Sequence, residues 1–348
     1  MSLLRFALLV TILSLAGIGS AACSGGGGGD PRRTPAGAAT AGGGGPVGGD
    51  GALIIARPEG LVEYILKSGE QRGIVPAEPD AFLLDPAVSP DGRRLAYILQ
   101  PPSKVIDNRY DAGSDLWIAG RDGSGAQPAF VHAEPSQLVR FPQWLDDQHV
   151  VAIVQETELQ ADLATIVYTL QRINVETGER ETLLKDVLGF SLSPDREHVV
   201  YAKLAIGVLG ETLHVAGIDG SDERTLITAE QNLTPFNYPQ YSPDGSRIAF
   251  ASANQTQPLG RLASAAPLVR RAATADGLPQ DIFVIEAGGG SPRLAADLKE
   301  DLPALAWSGD GSHIYVLGGA GLYDVDMKTG LVTRIGEGVF HGGITWVP

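Results

Sequence analysis

The chain contains one cysteine, Cys23, in 348 residues, so no intramolecular disulfide can form and the fold must be held by packing and hydrogen bonds. Positive charge is also scarce. Lys and Arg number 26 against 41 Asp and Glu, a formal net charge of −15, which makes nucleic acid and anionic membrane surfaces poor electrostatic partners. The six histidines (His132, His149, His198, His214, His313 and His341) show no paired metal-ligand spacing, and Asp219, Asp222 and Glu223 miss the calcium-loop pattern. No metal or cofactor is therefore expected. No Gly-x-Ser-x-Gly nucleophile elbow is present, which removes the commonest hydrolase signature.

What is abundant is punctuation. With 45 Gly and 23 Pro beside 43% apolar residues, the composition suits an all-β protein rich in turns and does not suit a helical one. One turn recurs: Ser89-Pro90-Asp91-Gly92, Ser193-Pro194-Asp195, Ser242-Pro243-Asp244-Gly245 and Ser308-Gly309-Asp310-Gly311. Pro presets φ, Ser and Asp can bond the local backbone, and Gly accepts the positive φ of a tight hairpin. The flanks read as strands, for example Arg247-Ile248-Ala249-Phe250 and His313-Ile314-Tyr315-Val316, with no helical spacing of their apolar positions. A degenerate copy lies at Trp144-Leu145-Asp146-Asp147, and Ile344-Thr345-Trp346-Val347 resembles the opening of one more.

After each hairpin comes a second strand pair, such as Asp115-Leu116-Trp117-Ile118 before Asp122-Gly123-Ser124, and Asp281-Ile282-Phe283-Val284 before Gly288-Gly289-Gly290. Each unit thus holds four strands, A to D. An array of such units predicts a radial β-propeller, in which no blade is stable alone. The positions aligned with the turn serine are Ser89, Leu145, Ser193, Ser242, Ser308 and Val347. Residues 52–56, 61–66 and 73–75 supply strands B, C and D without an A. The C-terminal strand is expected to provide it, giving six four-stranded antiparallel blades with the ring closed inside the first. Trp144, Trp307 and Trp346 each stand one place before the aligned turn position, which marks them as inter-blade packing residues.

Residues 1–22 read as an export signal: a basic start ending at Arg5, an apolar stretch over 6–18 too short to span a bilayer, then Gly19-Ser20-Ala21-Ala22. Cys23 follows directly, which resembles the lipobox of bacterial lipoproteins, although Ser20 stands where Leu, Val or Ile is usual. That resemblance implies acylation of Cys23 and an anchor on the outer side of the cytoplasmic membrane or in the periplasm. Ser20-Ala21-Ala22 also fits ordinary signal peptidase, which would release a secreted chain. Residues 23–50, with Gly25-Gly26-Gly27-Gly28-Gly29 and Gly42-Gly43-Gly44-Gly45, read as a disordered tether, and 51–348 as one propeller domain.

The Ser-Pro-Asp-Gly hairpins leading into Leu95-Ala96-Tyr97 or Ile248-Ala249-Phe250, with the Asp-Leu-Trp and Asp-Ile-Phe strands, resemble the propeller repeat of TolB-like proteins, a Pro-Asp relative of the WD repeat. The resemblance covers 51–348 and implies fold far more than function. Members with a small α/β domain ahead of the propeller differ from this chain, where the tether stands instead. The same repeat also accompanies peptidase domains of the prolyl oligopeptidase type, for which no residues remain here.

Function in such a fold is expected on the face carrying the B–C and D–A connections. Two long insertions fall there: 253–280, with Arg261, Arg270 and Arg271 and a possible short helix interrupted by Pro267, and 100–113, with Lys104, Asp107, Asn108, Arg109 and Tyr110. Four to seven places before each aligned turn position stand Asp85, Arg140, Asp186, Asn237 with Tyr238, Asp301 and His341, a candidate polar ring at the channel mouth. Two function classes stay open. One is a lipid-anchored, monomeric, non-catalytic binding propeller for a protein, peptide, glycan or other envelope component. The other is a propeller hydrolase or lyase using the mouth acids with Arg140 and His341.

Overall fold

The computed structural model describes residues 50–102, 104–106, 109–160, 163–205, 210–254, 279–337 and 342–348. The leader, Cys23, nearly all of the tether, Arg261, Arg270, Arg271 and His341 lie outside these residues, and Arg109 and Tyr110 are placed by backbone only.

Six four-stranded antiparallel sheets form the blades. In order A to D, blade 2 is Phe82–Val88, Arg94–Gln100, Asp115–Gly120 and Gln127–Phe130. Blade 3 is Leu138–Trp144, His149–Gln160, Leu163–Asn174 and Arg180–Lys185. Blade 4 is Gly189–Leu192, His198–Leu204, Glu211–Gly217 and Arg224–Ile227. Blade 5 is Asn237–Tyr241, Arg247–Ser252, Gln280–Glu286 and Arg293–Glu300, and blade 6 is Ala304–Trp307, His313–Leu317, Leu322–Asp326 and Val332–Gly336. Blade 1 takes Ala52–Arg57, Gly60–Ile65 and Gln71–Pro76 from the N-terminal end and its strand A, Ile344–Val347, from the C-terminal end. Leu53 faces Trp346 and Ile55 faces Ile344 across this closing pair.

Both faces of every blade are covered, so the apolar residues of the strands sort into six buried clusters, one at each blade interface. Leu53, Ile55, Tyr315 and Leu317 fill the cluster between blades 6 and 1, which exists only because the ring closes.

The recurring turn works as its chemistry predicts. Ser89 Oγ donates to Asp91 Oδ1 at 2.6 Å and accepts the Arg94 N–H at 2.9 Å, while the Arg93 N–H donates to the same carboxylate oxygen at 3.0 Å. Ser242–Asp244, Ser308–Asp310 and Ser193–Asp195 repeat it. These hydrogen bonds hold the turn aspartates below the usual carboxylate range, Asp244 and Asp310 at about 2.

Neighbouring blades are latched through tryptophan. Trp144 Nε1 donates to the Ala87 carbonyl at 3.0 Å and Trp307 Nε1 to the Gln240 carbonyl at 3.2 Å, each reaching the preceding blade. From that preceding blade Arg94 and Arg247 lie 4.7 and 4.8 Å over the same indole rings. Their guanidinium groups also donate to the carbonyls of Asp147 and Gly311 in the next turn. At the sixth interface Trp346 packs on Gly309, where an added Cβ would lie 2.3 Å from the ring. The glycine that breaks the Ser-Pro-Asp-Gly pattern makes room for the closing strand.

Two outcomes are expected. Trp144→Phe, which leaves the Ala87 carbonyl unpaired, should lower the unfolding free energy by about 1 kcal/mol, and Trp144→Ala by about 3–5 kcal/mol, read by urea denaturation. The turn aspartates contribute stability above their unfolded pKa that is lost as pH falls through the depressed folded value. Melting temperature should therefore fall between about pH 4 and pH 2, and less steeply in an Asp244→Asn/Asp310→Asn double variant.

Candidate functional site at the channel mouth

The six A strands surround a central channel with a volume of about 520 Å³. Period-two alternation turns every second residue inward, so two places before the aligned turn position stand Ala87, Gln143, Ser191, Gln240, Ala306 and Thr345, a neutral waist of small and amide side chains.

The mouth is shaped by kinks in the A strands. Asp85, Phe141 and Tyr238 precede Pro86, Pro142 and Pro239 and adopt φ of +49°, +56° and +48°. The pairing register shifts at each of the three. A left-handed residue followed by one without an N–H breaks the ladder, and the bulge re-aims the side chain. Phe141 and Tyr238 meet edge to face with centroids 5.1 Å apart, over the blade between them, which carries Gly189 at the equivalent position.

Asp85 is the anchor. Its side chain is 3% exposed; Oδ2 accepts from Arg140 Nε at 2.7 Å and from the Phe141 N–H at 3.2 Å. Its own N–H donates to the Gly342 carbonyl at 3.4 Å, so one residue ties blades 1, 2 and 3. Arg140, a third exposed, lies 4.8 Å over the Phe141 ring, and Tyr238 of blade 5 stands close enough to act on its charge. Burial alone would lower the Arg140 pKa, but Asp85 and Tyr238 raise it above its ordinary value. Burial, then the Asp85 charge, pushes the Tyr238 phenol up, so it stays a neutral donor at physiological pH. A Cβ built on Gly342 would lie 3.4 Å from Tyr238 Oη, 3.7 Å from Arg140 Nη2 and 3.7 Å from Asp85 Oδ1. Oδ1 has no hydrogen-bond partner among the described residues.

Of the other expected ring members, Asn237 lines the channel and His341 lies outside the described residues, whereas Asp186 and Asp301 lie elsewhere. Asn237 donates through Nδ2 to buried Gln280 at 3.1 Å. Asp186 is exposed on the D–A connection of blade 3, its N–H bonded to the Tyr168 carbonyl at 2.8 Å, and Asp301 is half-buried on the D–A connection of blade 5. Neither lines the channel. Phe141 and Gly342 join the mouth without having been singled out in the sequence; the X-Pro pair shared by Asp85-Pro86, Phe141-Pro142 and Tyr238-Pro239 is the signal that could have found Phe141.

The same face carries raised structure. The insertion of blade 2 forms a two-stranded hairpin, Lys104–Ile106 with Arg109–Asp111, and strands B and C of blade 3 continue well past their neighbours. Val105 (69%), Ile166 (51%), Leu204 (55%) and Leu302 (48%) are exposed on these B–C and D–A connections. Asp115 and Asp281, which open strand C in blades 2 and 5, fasten that strand to the end of strand D. Asp115 accepts the His132 N–H at 2.9 Å and pairs with His132 Nδ1 at 2.6 Å, and Asp281 accepts the Leu298 N–H at 3.0 Å and pairs with Lys299. Among the described residues no group of three or more His, Cys, Asp or Glu is arranged to hold a metal.

No family model matches the chain, and no curated protein matches it in sequence. Solved structures do match. TolB from Acinetobacter baumannii is similar at 12% identity over 86% of this chain and 67% of that one, with a TM-score of 0.59. A chain of the nidogen/laminin complex is similar at 11% identity over 85% of this chain and 97% of that one, also at 0.59. The fold is TolB-like. At these identities the likeness is one of fold. Among the described residues no helix is long and apolar enough to cross a membrane.

One buried acid on this face is poised to titrate. Glu211 Oε2 accepts the Phe236 N–H at 2.7 Å, and burial pushes its carboxyl up to about 7. A folded-state pKa above the unfolded one gives stability that is fully present below about pH 4 and is lost as pH rises through about 7. Stability should therefore decline between about pH 4 and pH 7, by up to about 3 kcal/mol, and level off above, and Glu211→Gln should flatten that decline in denaturant titrations at each pH.

Proposed function

We propose that this chain is a non-catalytic binding propeller that recognises a protein, peptide or glycan through its loop-rich face and is held outside the cytoplasmic membrane by acylated Cys23. The observation that carries the binding reading is the combination on that face of raised hairpins bearing exposed Val105 and Ile166 with exposed Leu204 and Leu302 on neighbouring connections. Exposed apolar side chains gathered on protruding connections are what a protein-docking surface requires. The mouth supports the same reading. An acid–base catalyst needs a carboxylate that substrate can reach, whereas the Asp85 side chain is 3% exposed and its Oδ2 is engaged by Arg140. One of the similar solved structures is a chain of the nidogen/laminin complex. The tether after Cys23 would lift the domain off the bilayer by on the order of 30 Å.

The test is affinity capture of partners from the membrane fraction with the intact protein, a Val105→Asp/Ile166→Asp variant, and a chain with 253–280 shortened. Capture of a specific partner by the wild type and its loss in the first or the last variant is expected; retention of every partner by both would overturn the reading. Cys23→Ala is expected to move the protein from the membrane to the soluble fraction.

A further inference from the structure

The other end of the channel has a feature that the loop-rich face does not explain. In three of the recurring turns the fourth residue is glycine in the left-handed region: Gly92 at φ +73°, Gly245 at +71° and Gly311 at +69°. In the turn of blade 4 that place is taken by Arg196, at +65°. A side chain there strains the backbone by about 1 kcal/mol, and nothing in the hairpin requires one. Arg196 lines the central channel and is half-buried. Its backbone N–H donates to the Ser193 carbonyl at 2.9 Å, but its side chain has no hydrogen bond or ion pair among the described residues, and burial lowers its pKa with no compensating acid beside it. Its neighbour Asp195 is committed to Ser193, the Glu197 N–H and His198. In a chain of net charge −15, a partly desolvated guanidinium without a partner is an uncompensated cost at a residue that already carries strain.

The surroundings define what would compensate it. The channel wall at this end is formed by Trp346, Pro194 and Pro243, with Trp144 and Trp307 buried behind it between blades, and the waist beyond is neutral. Trp144 and Trp307 have their indole N–H groups bonded to carbonyls, whereas Trp346 Nε1 is a buried donor with no partner among the described residues. At the far end Phe141, Tyr238 and Asp85 converge across the axis and form its floor. A cavity of about 520 Å³ falls within the range that holds small molecules.

We infer that the hairpin-side end of the channel is a binding site for a small organic carboxylate with an apolar or aromatic body, the carboxylate paired with Arg196 and the body held against Trp346, Pro194 and Pro243. A planar guanidinium matches a carboxylate in a two-point hydrogen bond, and the walls supply apolar contact without a second charge. The site lies at the opposite end of the channel from the loop-rich docking face, so each stands or falls on its own experiment.

Phenylacetate and octanoate are the probes, with phenylacetamide as the neutral counterpart, titrated into the intact protein by calorimetry and by tryptophan fluorescence. Arg196→Gly restores the glycine of the other turns, so its melting temperature should equal or exceed that of the wild type. Saturable binding of at least one carboxylate at millimolar concentration is expected, weakened about tenfold or more for the amide and in Arg196→Gly, and by a smaller factor in Arg196→Lys, which keeps the charge and loses the two-point match. Equal binding of acid and amide, unchanged binding by Arg196→Gly, or no saturable binding of either carboxylate would overturn the assignment.

Discussion

Ring closure is the constraint on which every other feature depends. A four-stranded blade buries neither of its faces by itself, and all six clusters of the core lie between blades. Pairing Ile344–Val347 with Ala52–Arg57 converts an array with two bare ends into a ring with none. The entropy of bringing chain ends nearly three hundred residues apart into register is modest, because closure entropy grows only logarithmically with length. The apolar area buried between blades 6 and 1, including Tyr315, Leu317 and Leu322, offsets it. The absence of a disulfide within the domain is consistent with this economy, since closure is done by packing.

A closed ring then fixes what the channel can be. Six inner strands converge with period-two alternation, so the waist is set by one residue type per blade, and the mouth by whatever stands where each strand begins. Three strands place a left-handed residue before proline at that point, which swings Asp85, Phe141 and Tyr238 over the axis. The Asp85–Arg140 pair is sheltered and closely hydrogen-bonded. Removing one partner would strand the other, so its effect on the fold is expected to exceed that of a surface pair. The mouth is in this sense a brace between blades 1, 2, 3 and 5.

Much of this was legible in the residues. The turn chemistry, the four-strand unit, the count of six and the role of Ile344–Val347 all follow from a repeat, because hairpin geometry is a local property and local rules are written in short stretches of sequence. The inter-blade position of the tryptophans was equally legible from their constant offset. The mouth was only half so. Asp85, Arg140 and Tyr238 come together, yet Asp186 and Asp301, at offsets that differ by only two or three places, do not line the channel. Side-chain direction there depends on bulges whose register shift cannot be derived from spacing. The long B and C strands of blade 3, Asp115 and Asp281 as clamps of strand D, and the acid at Glu211 escaped for the same reason: each depends on what a neighbouring connection packs against.

In a repeat protein the departures from the pattern are as informative as the pattern. Gly309 departs from proline, and the structure supplies the cause, since the ring of Trp346 occupies the space a Cβ would need. Leu145 departs from serine and is explained by packing, its side chain lying against the core between blades 3 and 4. Arg196 departs from glycine and no contact within the protein accounts for it. A substitution that strains the backbone, desolvates a charge and finds no partner lowers stability three ways at once. Selection for the fold alone would favour glycine there, as it stands in the other three turns. The carboxylate proposed for the hairpin-side end of the channel would supply the partner that Arg196 lacks within the chain.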